Sequence, residues 1–127
     1  MRRVAITGIG VVSPLGNSLR EFRSALAEAR PGIRRLPEEI VRGSGVQVGA
    51  TVDWNPSPLL KDGEAANLDR VSQFALGAAA QALAASGLDL ASAERTRIGV
   101  SWGTGMGGAG AVDASYQIGR ASCRERV

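Results

Sequence analysis

The apolar positions of this chain fall into two kinds of pattern. Nearly continuous apolar and β-branched runs at residues 3–10 and 97–102 predict buried strands, because a strand covered on both faces needs no polar alternation. Helical spacing of apolar residues after Ser18, and again over residues 68–86, predicts two helices, and a third is predicted over residues 109–116. The order strand, helix, irregular insert, helix, strand, helix predicts an α/β layered domain.

Local signals delimit the predicted helices. Ser18 and Glu21 fit a capping box at the start of the first helix, and Pro31-Gly32 is expected to stop it. Asn67 or Asp69 can cap the second helix, and Gly87 stands where a left-handed terminating residue is expected. The first helix is predicted to present one apolar face, formed by Leu19, Phe22, Leu26 and Ala29. The alanine-rich second helix is expected to be largely buried between layers.

The remaining segments are predicted as connections. Residues 11–17 form a turn region, and residues 88–94 a loop with one helical turn. Residues 33–63 are the least regular part of the chain, and we assign them no role. Within them, the alternation over residues 46–52 suggests a short edge or hairpin strand, and residues 61–63 suggest a turn.

Composition excludes several classes of protein. A chain of 127 residues forms one domain at most, and it contains neither an apolar run of membrane-spanning length nor a signal peptide, so we expect a cytoplasmic location. Residues 118–127 supply two of the three net positive charges, which removes the argument for nucleic-acid binding. The absence of histidine excludes Ser-His-Asp and Cys-His arrangements within this chain, and with a single cysteine a zinc site is not expected.

Residues 103–110 hold five glycines among eight residues, directly after the second predicted strand. A strand that runs into a glycine-rich loop can bring backbone close to a ligand, so this segment is predicted to line a substrate pocket. It also fits the G-x-G-x-x-G pattern of dinucleotide-binding proteins. That pattern requires an acidic residue about twenty positions further on, and Asp113 is too close to fill this role.

Residues 118–127, IGRASCRERV, resemble the translation of a short-read sequencing adapter. We therefore expect residues 1–117 to be the native partial domain, with even Gln117 doubtful, and residues 118–127 to be an artefact of the source DNA. The single cysteine, Cys123, lies in this segment and is not expected to be a nucleophile.

Three motifs in order resemble the beta-ketoacyl-acyl carrier protein synthases, the condensing enzymes of fatty acid and polyketide synthesis. They are RRVAITGIGVVSPLGN at residues 2–17, LDRVSQFALGAAAQALAASGLD at residues 68–89 and RIGVSWGTGMGG at residues 97–108. The resemblance implies a thiolase-like, layered α-β-α-β-α fold, of which this chain matches only the beginning of the first half. It also implies a homodimer that needs no metal or organic cofactor.

The resemblance further implies decarboxylative condensation of malonyl-acyl carrier protein with an acyl group held on a cysteine thiolate, assisted by two histidines and a lysine. None of those catalytic residues maps onto this chain, so the chain by itself is expected to be inactive. It is also expected to be poorly folded, because its predicted strands would lack most of their sheet neighbours. A non-catalytic partner subunit that controls chain length stays open as an alternative.

The resemblance does assign substrate-binding residues in the glycine loop. It implies that Met106, between Gly105 and Gly107, points into the acyl-chain channel and can gate it. Methionine is unbranched and adaptable, which suits a wall that yields to an alkyl chain. Alternatively, Met106 fills the core between the loop and a helix. Gly105 and Gly107 would then be spacing residues of the turn, and Thr104 a loop residue whose hydroxyl has no special role.

Overall fold

The computed structural model describes residues 3–124, with the exception of the side chains at residues 62 and 118–124. The chain divides into two compact units, Met1–Asn55 with Leu76–Leu88, and Pro56–Ala75 with Asp89–Val127. The described elements, in chain order, are α1 (Leu19–Ala27), β1 (Arg34–Arg35), α2 (Glu38–Val41), β2 (Val48–Gly49), α3 (Asp62–Ala66), α4 (Arg70–Ser86), a 3₁₀ turn (Arg95–Arg97) and α5 (Ala109–Arg124). No helix in this described part of the chain is long and apolar enough to cross a bilayer.

The two long strands predicted from the sequence are not present as strands. Residues 3–10 and 98–102 form no ladder with any other described segment, and Arg97 lies in the 3₁₀ turn. A strand needs a partner backbone to satisfy its N–H and C=O groups, and within residues 3–124 the paired strands are β1 and β2. Val4 and Val100 are each 93% exposed. The described fold is therefore mostly helical with a two-stranded sheet, and the layered arrangement stays a prediction.

Helix α1 begins as its capping signal predicts. The Ser18 hydroxyl accepts a hydrogen bond from the Glu21 N–H at 3.3 Å. The Glu21 carboxylate accepts a hydrogen bond from the N–H of Asn17 at 2.8 Å, whereas in the standard capping box it would accept from the N–H of the capping residue itself. The side chains of Ser18 and Glu21 therefore fix the start of the helix locally.

The end of α1 differs from the prediction. The helix stops at Ala27, and Ala29 lies beyond it with φ of 50°, so Ala29 does not belong to the apolar helical face. The N–H of Arg30 donates to the Ala25 carbonyl at 2.9 Å, and that of Ala29 donates to Leu26 at 3.2 Å. These two bonds form a Schellman motif, which usually places glycine where Ala29 stands.

Helix α4 follows its predicted end signals closely. The Asp69 carboxylate accepts from the Ser72 N–H at 2.8 Å, so Asp69 is the capping residue and the helix starts at Arg70, two residues later than predicted. Gly87 has φ of 69°, as its terminating position requires. The expected deep burial of α4 is not observed, since Leu76 and Leu83 are 42% and 37% exposed. The described segments that pack on α4 cover only part of its surface.

The first unit packs the N-terminal segment directly on the backbone of α4. A Cβ on Gly10 would overlap the carbonyl oxygen of Ala78, and a Cβ on Gly8 would overlap that of Ala82. Gln81 adds two hydrogen bonds, accepting from the Val11 N–H at 3.1 Å and donating to the Asn17 carbonyl at 2.8 Å. Glycine is required at both positions because any side chain there would prevent the N-terminal segment from approaching α4 so closely.

Residues 33–63 contain more regular structure than the sequence predicts. The predicted hairpin strand is confirmed at β2, which pairs antiparallel with β1 in the register Arg34↔Gly49 and Arg35↔Val48. The predicted turn at residues 61–63 is wrong, because α3 occupies Asp62–Ala66. Gln73, 9% exposed, donates to the carbonyls of Ala65 and Leu68 at 2.9 and 3.0 Å and so ties the end of α3 to α4. Local sequence patterns do not predict these two side-chain hydrogen bonds.

The loop at residues 88–94 contains the predicted single helical turn. The N–H of Ala93 donates to the Asp89 carbonyl oxygen at 3.0 Å. The Asp89 side chain accepts from the Ala91 N–H at 2.9 Å, and this bond lowers the pKa of Asp89 below its ordinary value because it favours the charged carboxylate.

Candidate functional site

The glycine segment of residues 103–108 is closed on itself by one side chain. The hydroxyl oxygen of Thr104 accepts the N–H of Gly107 at 2.9 Å, which spans Gly105 and Met106. A side-chain acceptor for a backbone N–H three residues on is the arrangement that serine and threonine use in turns and helix caps. Met106 therefore stands at the tip of a short turn whose ends are held together.

Two of the glycines lie against the start of α4. A Cβ on Gly107 would stand 2.6 Å from the Cγ1 of Val71 and 2.7 Å from the Thr104 hydroxyl oxygen. Gly108 has φ of 79°, and a Cβ there would lie 3.2 Å from a carboxylate oxygen of Asp69. The carbonyl of Gly108 also accepts the N–H of Val112 at 3.0 Å as α5 begins. These glycines are thus required by close approach and by backbone conformation.

The other glycines of the segment have open space beside them. Within the described part of the chain, and apart from adjacent residues and the backbone of the same helix, no atom lies within 4 Å of a Cβ built on Gly103, Gly105 or Gly110. Packing among the described residues therefore does not explain why glycine occupies these positions.

An apolar cleft of about 360 Å³ opens beside the turn. Its lining residues are Met106, Gly107, Ala109, Val112, Asp113 and Tyr116. Met106 is 87% exposed, and Val112 and Tyr116 are 66% and 72% exposed. Except for the Asp113 carboxylate and the Tyr116 hydroxyl, the wall offers carbon and sulfur atoms, which can contact an alkyl chain but cannot carry out acid–base chemistry on it.

The structure brings together only part of the predicted site. Met106 and Gly107 line the cleft, whereas Thr104 and Gly105 belong to the turn and do not line it. The sequence analysis missed the contributions of Ala109, Val112 and Tyr116. These residues recur at three- and four-residue spacing along the predicted third helix, and that spacing was the available signal.

A second, more polar groove of about 540 Å³ lies along the β1–β2 hairpin and α2. Its lining residues are Arg35, Leu36, Glu38, Val41, Arg42, Gly43, Ser44 and Gln47. It mixes basic and acidic side chains, and the sequence analysis assigned it no role. Among the side chains that the structure describes, no three histidine, cysteine, aspartate or glutamate residues come close enough together to hold a metal ion.

Comparison with known proteins identifies the family. The sequence profile of the beta-ketoacyl synthase N-terminal domain matches residues 1–125, nearly the whole chain. The chain belongs to the beta-ketoacyl synthase family. The resemblance drawn from the three sequence motifs is thereby confirmed.

Individual relatives are named as polyketide beta-ketoacyl synthases or as 3-oxoacyl-[acyl-carrier-protein] synthases. The chain is 37% identical over 121 residues to the actinorhodin polyketide beta-ketoacyl synthase 1 of Streptomyces coelicolor, covering 92% of this chain and 25% of that protein. It is 35% identical over 116 residues to 3-oxoacyl-[acyl-carrier-protein] synthase 2 of Coxiella burnetii, covering 91% of this chain and 28% of that protein. A third relative, 33% identical over 108 residues, is 3-oxoacyl-[acyl-carrier-protein] synthase 2 of Synechocystis, with 84% of this chain and 26% of that protein covered.

The chain thus spans about a quarter of the length of the curated relatives it matches. These relatives are named as synthases, so neither dinucleotide binding nor a non-catalytic partner subunit is favoured.

Proposed function

We propose that the protein carrying this sequence is a 3-oxoacyl-acyl carrier protein synthase that condenses malonyl-acyl carrier protein with a bound acyl group, with loss of carbon dioxide. Membership of the beta-ketoacyl synthase family is the observation that carries this proposal. The names of the relatives support acyl carrier protein as the partner that delivers the substrates. The layered α-β-α-β-α fold, the homodimer and the cytoplasmic location form part of the same proposal and rest on the resemblance.

Within that enzyme, the cleft beside the glycine turn is proposed to contact the acyl chain. Met106 lines the apolar cleft together with Val112 and Tyr116 on α5, and such an apolar lining suits an alkyl chain. Burying each methylene of the chain is worth about 0.8 kcal/mol. If a bulkier wall prevents burial of the last two methylenes, the transition state loses about 1.6 kcal/mol of stabilisation, and kcat/KM falls roughly fifteenfold.

Replacing Met106 tests the proposed contact. In the full-length protein, Met106→Trp places a larger, stiffer side chain in the cleft wall, so the enzyme should accept shorter acyl chains. We expect at least a tenfold lower kcat/KM for the longest acyl substrate that the parent accepts, with the shortest substrate little changed. The measurement is a series of condensation assays across acyl chain lengths.

The control substitution is Ile40→Trp, which makes a similar change at a residue on α2 that is 61% exposed and outside the cleft lining. This variant should keep the parent profile. An unchanged profile in Met106→Trp would contradict the proposed contact, and the absence of condensation by the folded full-length parent would contradict the proposed activity.

We also propose that residues 1–117 are the native part and that residues 118–127 derive from an adapter. The likeness of IGRASCRERV to a translated adapter supports this, whereas the family match runs to residue 125 and so includes most of that segment. Cys123 and its arginine neighbours have side chains outside the described residues. Sequencing the source DNA across codons 115–127 is the test, and an uninterrupted genomic reading of these codons would overturn the proposal.

A further inference from the structure

The position of Met106 depends on what restrains the turn that carries it. Its side chain is 87% exposed, so its own packing within the described chain contributes little to holding it in place. Gly105, on one side of it, has no Cβ and open space around it. Glycine allows many backbone conformations, so something other than the residues flanking Met106 has to restrict the turn.

The Thr104 hydroxyl supplies that restriction. It accepts the N–H of Gly107 at 2.9 Å and thereby fixes the distance between the two ends of the turn that carries Met106. Behind the turn, Val71 and the Thr104 hydroxyl close the space beside Gly107, since a Cβ there would lie 2.6 and 2.7 Å from them. The turn is therefore held from within by one hydrogen bond and supported from behind by the first turn of α4.

We infer that Thr104 is a positioning residue for Met106 and thereby sets the length of acyl chain that the cleft accepts. This inference rests on the proposed function of Met106. Thr104 does not line the cleft, so it acts on the acyl chain only through the turn. Losing the hydroxyl releases Gly105 and Met106 to sample other conformations, and a less restricted Met106 discriminates less sharply between chain lengths.

The experiment measures acyl chain-length profiles of the full-length protein with substitutions at Thr104. Thr104→Val keeps the shape of the side chain and removes the acceptor, and Thr104→Ser keeps the acceptor and removes the methyl group. We expect Thr104→Val to change the ratio of kcat/KM values for long and short acyl substrates by about fivefold, the change that one hydrogen bond of ordinary strength permits. Thr104→Ser should retain the parent ratio.

Thr96→Val is the matched control, because its hydroxyl is exposed and bonds to the Glu94 carboxylate at 3.2 Å, outside the turn. The same substitution there should leave the ratio unchanged. Thermal unfolding of each variant, and a Thr104→Ala variant in case valine disturbs the fold, separate a local effect from a general loss of structure.

Repeating the Thr104→Val substitution in a Met106→Ala protein separates the positioning role of Thr104 from the proposed acyl-chain contact of Met106. If Thr104 acts through Met106, Thr104→Val should have no further effect on the ratio in a Met106→Ala protein. An unchanged ratio in Thr104→Val, or an undiminished change in the Met106→Ala background, would overturn the positioning role while leaving the proposed contact intact. If neither Met106→Ala nor Met106→Trp alters the profile, the proposed contact itself fails and the positioning role fails with it.

Discussion

Two glycine-bearing segments of this chain use glycine for different physical reasons. In residues 8–10 the glycines are required by contact, because a Cβ on Gly8 or Gly10 would overlap carbonyl oxygens of α4. In residues 103–110 a Cβ on Gly107 or Gly108 would meet side-chain atoms of Val71, Thr104 or Asp69 instead, and the three other glycines face open space within the described chain. The first segment is held by packing on a helix, and the second by a side-chain hydrogen bond within its own turn.

The difference teaches how to separate a structural glycine from one that serves a site. A glycine whose Cβ would collide with the protein's own backbone is explained by packing alone. Gly103, Gly105 and Gly110 have no such explanation, and they lie in the chain segment that carries the cleft residue Met106 without lining the cleft themselves. Four substitutions in the full-length protein test this comparison, and they are given in three steps of decreasing expected effect on the free energy of unfolding.

The largest effect is expected for Gly10→Ala. The new methyl group would overlap the carbonyl oxygen of Ala78, so either the N-terminal segment or α4 must shift. We expect a loss of about 3 kcal/mol in the free energy of unfolding. Chemical denaturation measures it, and Gly45→Ala, with nothing within 4 Å of its Cβ among the described residues, should cost under about 0.5 kcal/mol. Equal losses in the two variants would break the comparison.

An intermediate effect is expected for Gln81→Leu. The substitution leaves the Val11 N–H and the Asn17 carbonyl without their side-chain partner, at about 1 kcal/mol each. Denaturation should show a loss of about 2 kcal/mol, and hydrogen exchange should show faster exchange at the Val11 amide. Gln47→Leu, at an exposed residue of the hairpin, is the matched control and should change stability little. Slow exchange at Val11 in Gln81→Leu would mean that glycine packing alone holds the segment.

The smallest effect is expected at two of the left-handed positions, one taken from each unit. Ala29 has φ of 50° and Gly108 has φ of 79°. Because a left-handed alanine costs about 1–2 kcal/mol and glycine loses more entropy on folding, Ala29→Gly should stabilise the protein by about 0.5 kcal/mol. Gly108→Ala should have the opposite sign, a loss of about 1 kcal/mol or more. Thermal unfolding decides both signs, and destabilisation by Ala29→Gly would contradict the assigned backbone conformation.

Features fixed by neighbouring residues could be predicted from the sequence. The start of α1 depends on Ser18 and Glu21, and the limits of α4 depend on Asp69 and Gly87, all within a few residues of the ends they define. Features that need a distant partner could not. The predicted strands lack a described pairing segment, and the link between α3 and α4 depends on Gln73, eight residues beyond the Ala65 carbonyl it binds.

The residues of the candidate site also differ in how far the sequence could predict them. Met106 was found because the glycine motif around it resembles that of a known family, and no periodicity or charge pattern would have singled it out. Val112 and Tyr116 share a helical face with Ala109, so their place on the cleft follows from helix geometry once the third helix is predicted. The hydrogen bond of Thr104 depends on the conformation of the turn, which five glycines leave undetermined in the sequence.

The most direct test of acyl-chain contact at this cleft is photocrosslinking in the full-length protein. An acyl-carrier-protein thioester with a diazirine at the far end of its acyl chain would be irradiated on the enzyme, and the labelled tryptic peptides sequenced by mass spectrometry. The account predicts labelling on the peptide that follows Arg97, at Met106, Val112 or Tyr116, and loss of that label in Met106→Trp. Labelling confined to other peptides, with none after Arg97, would contradict it.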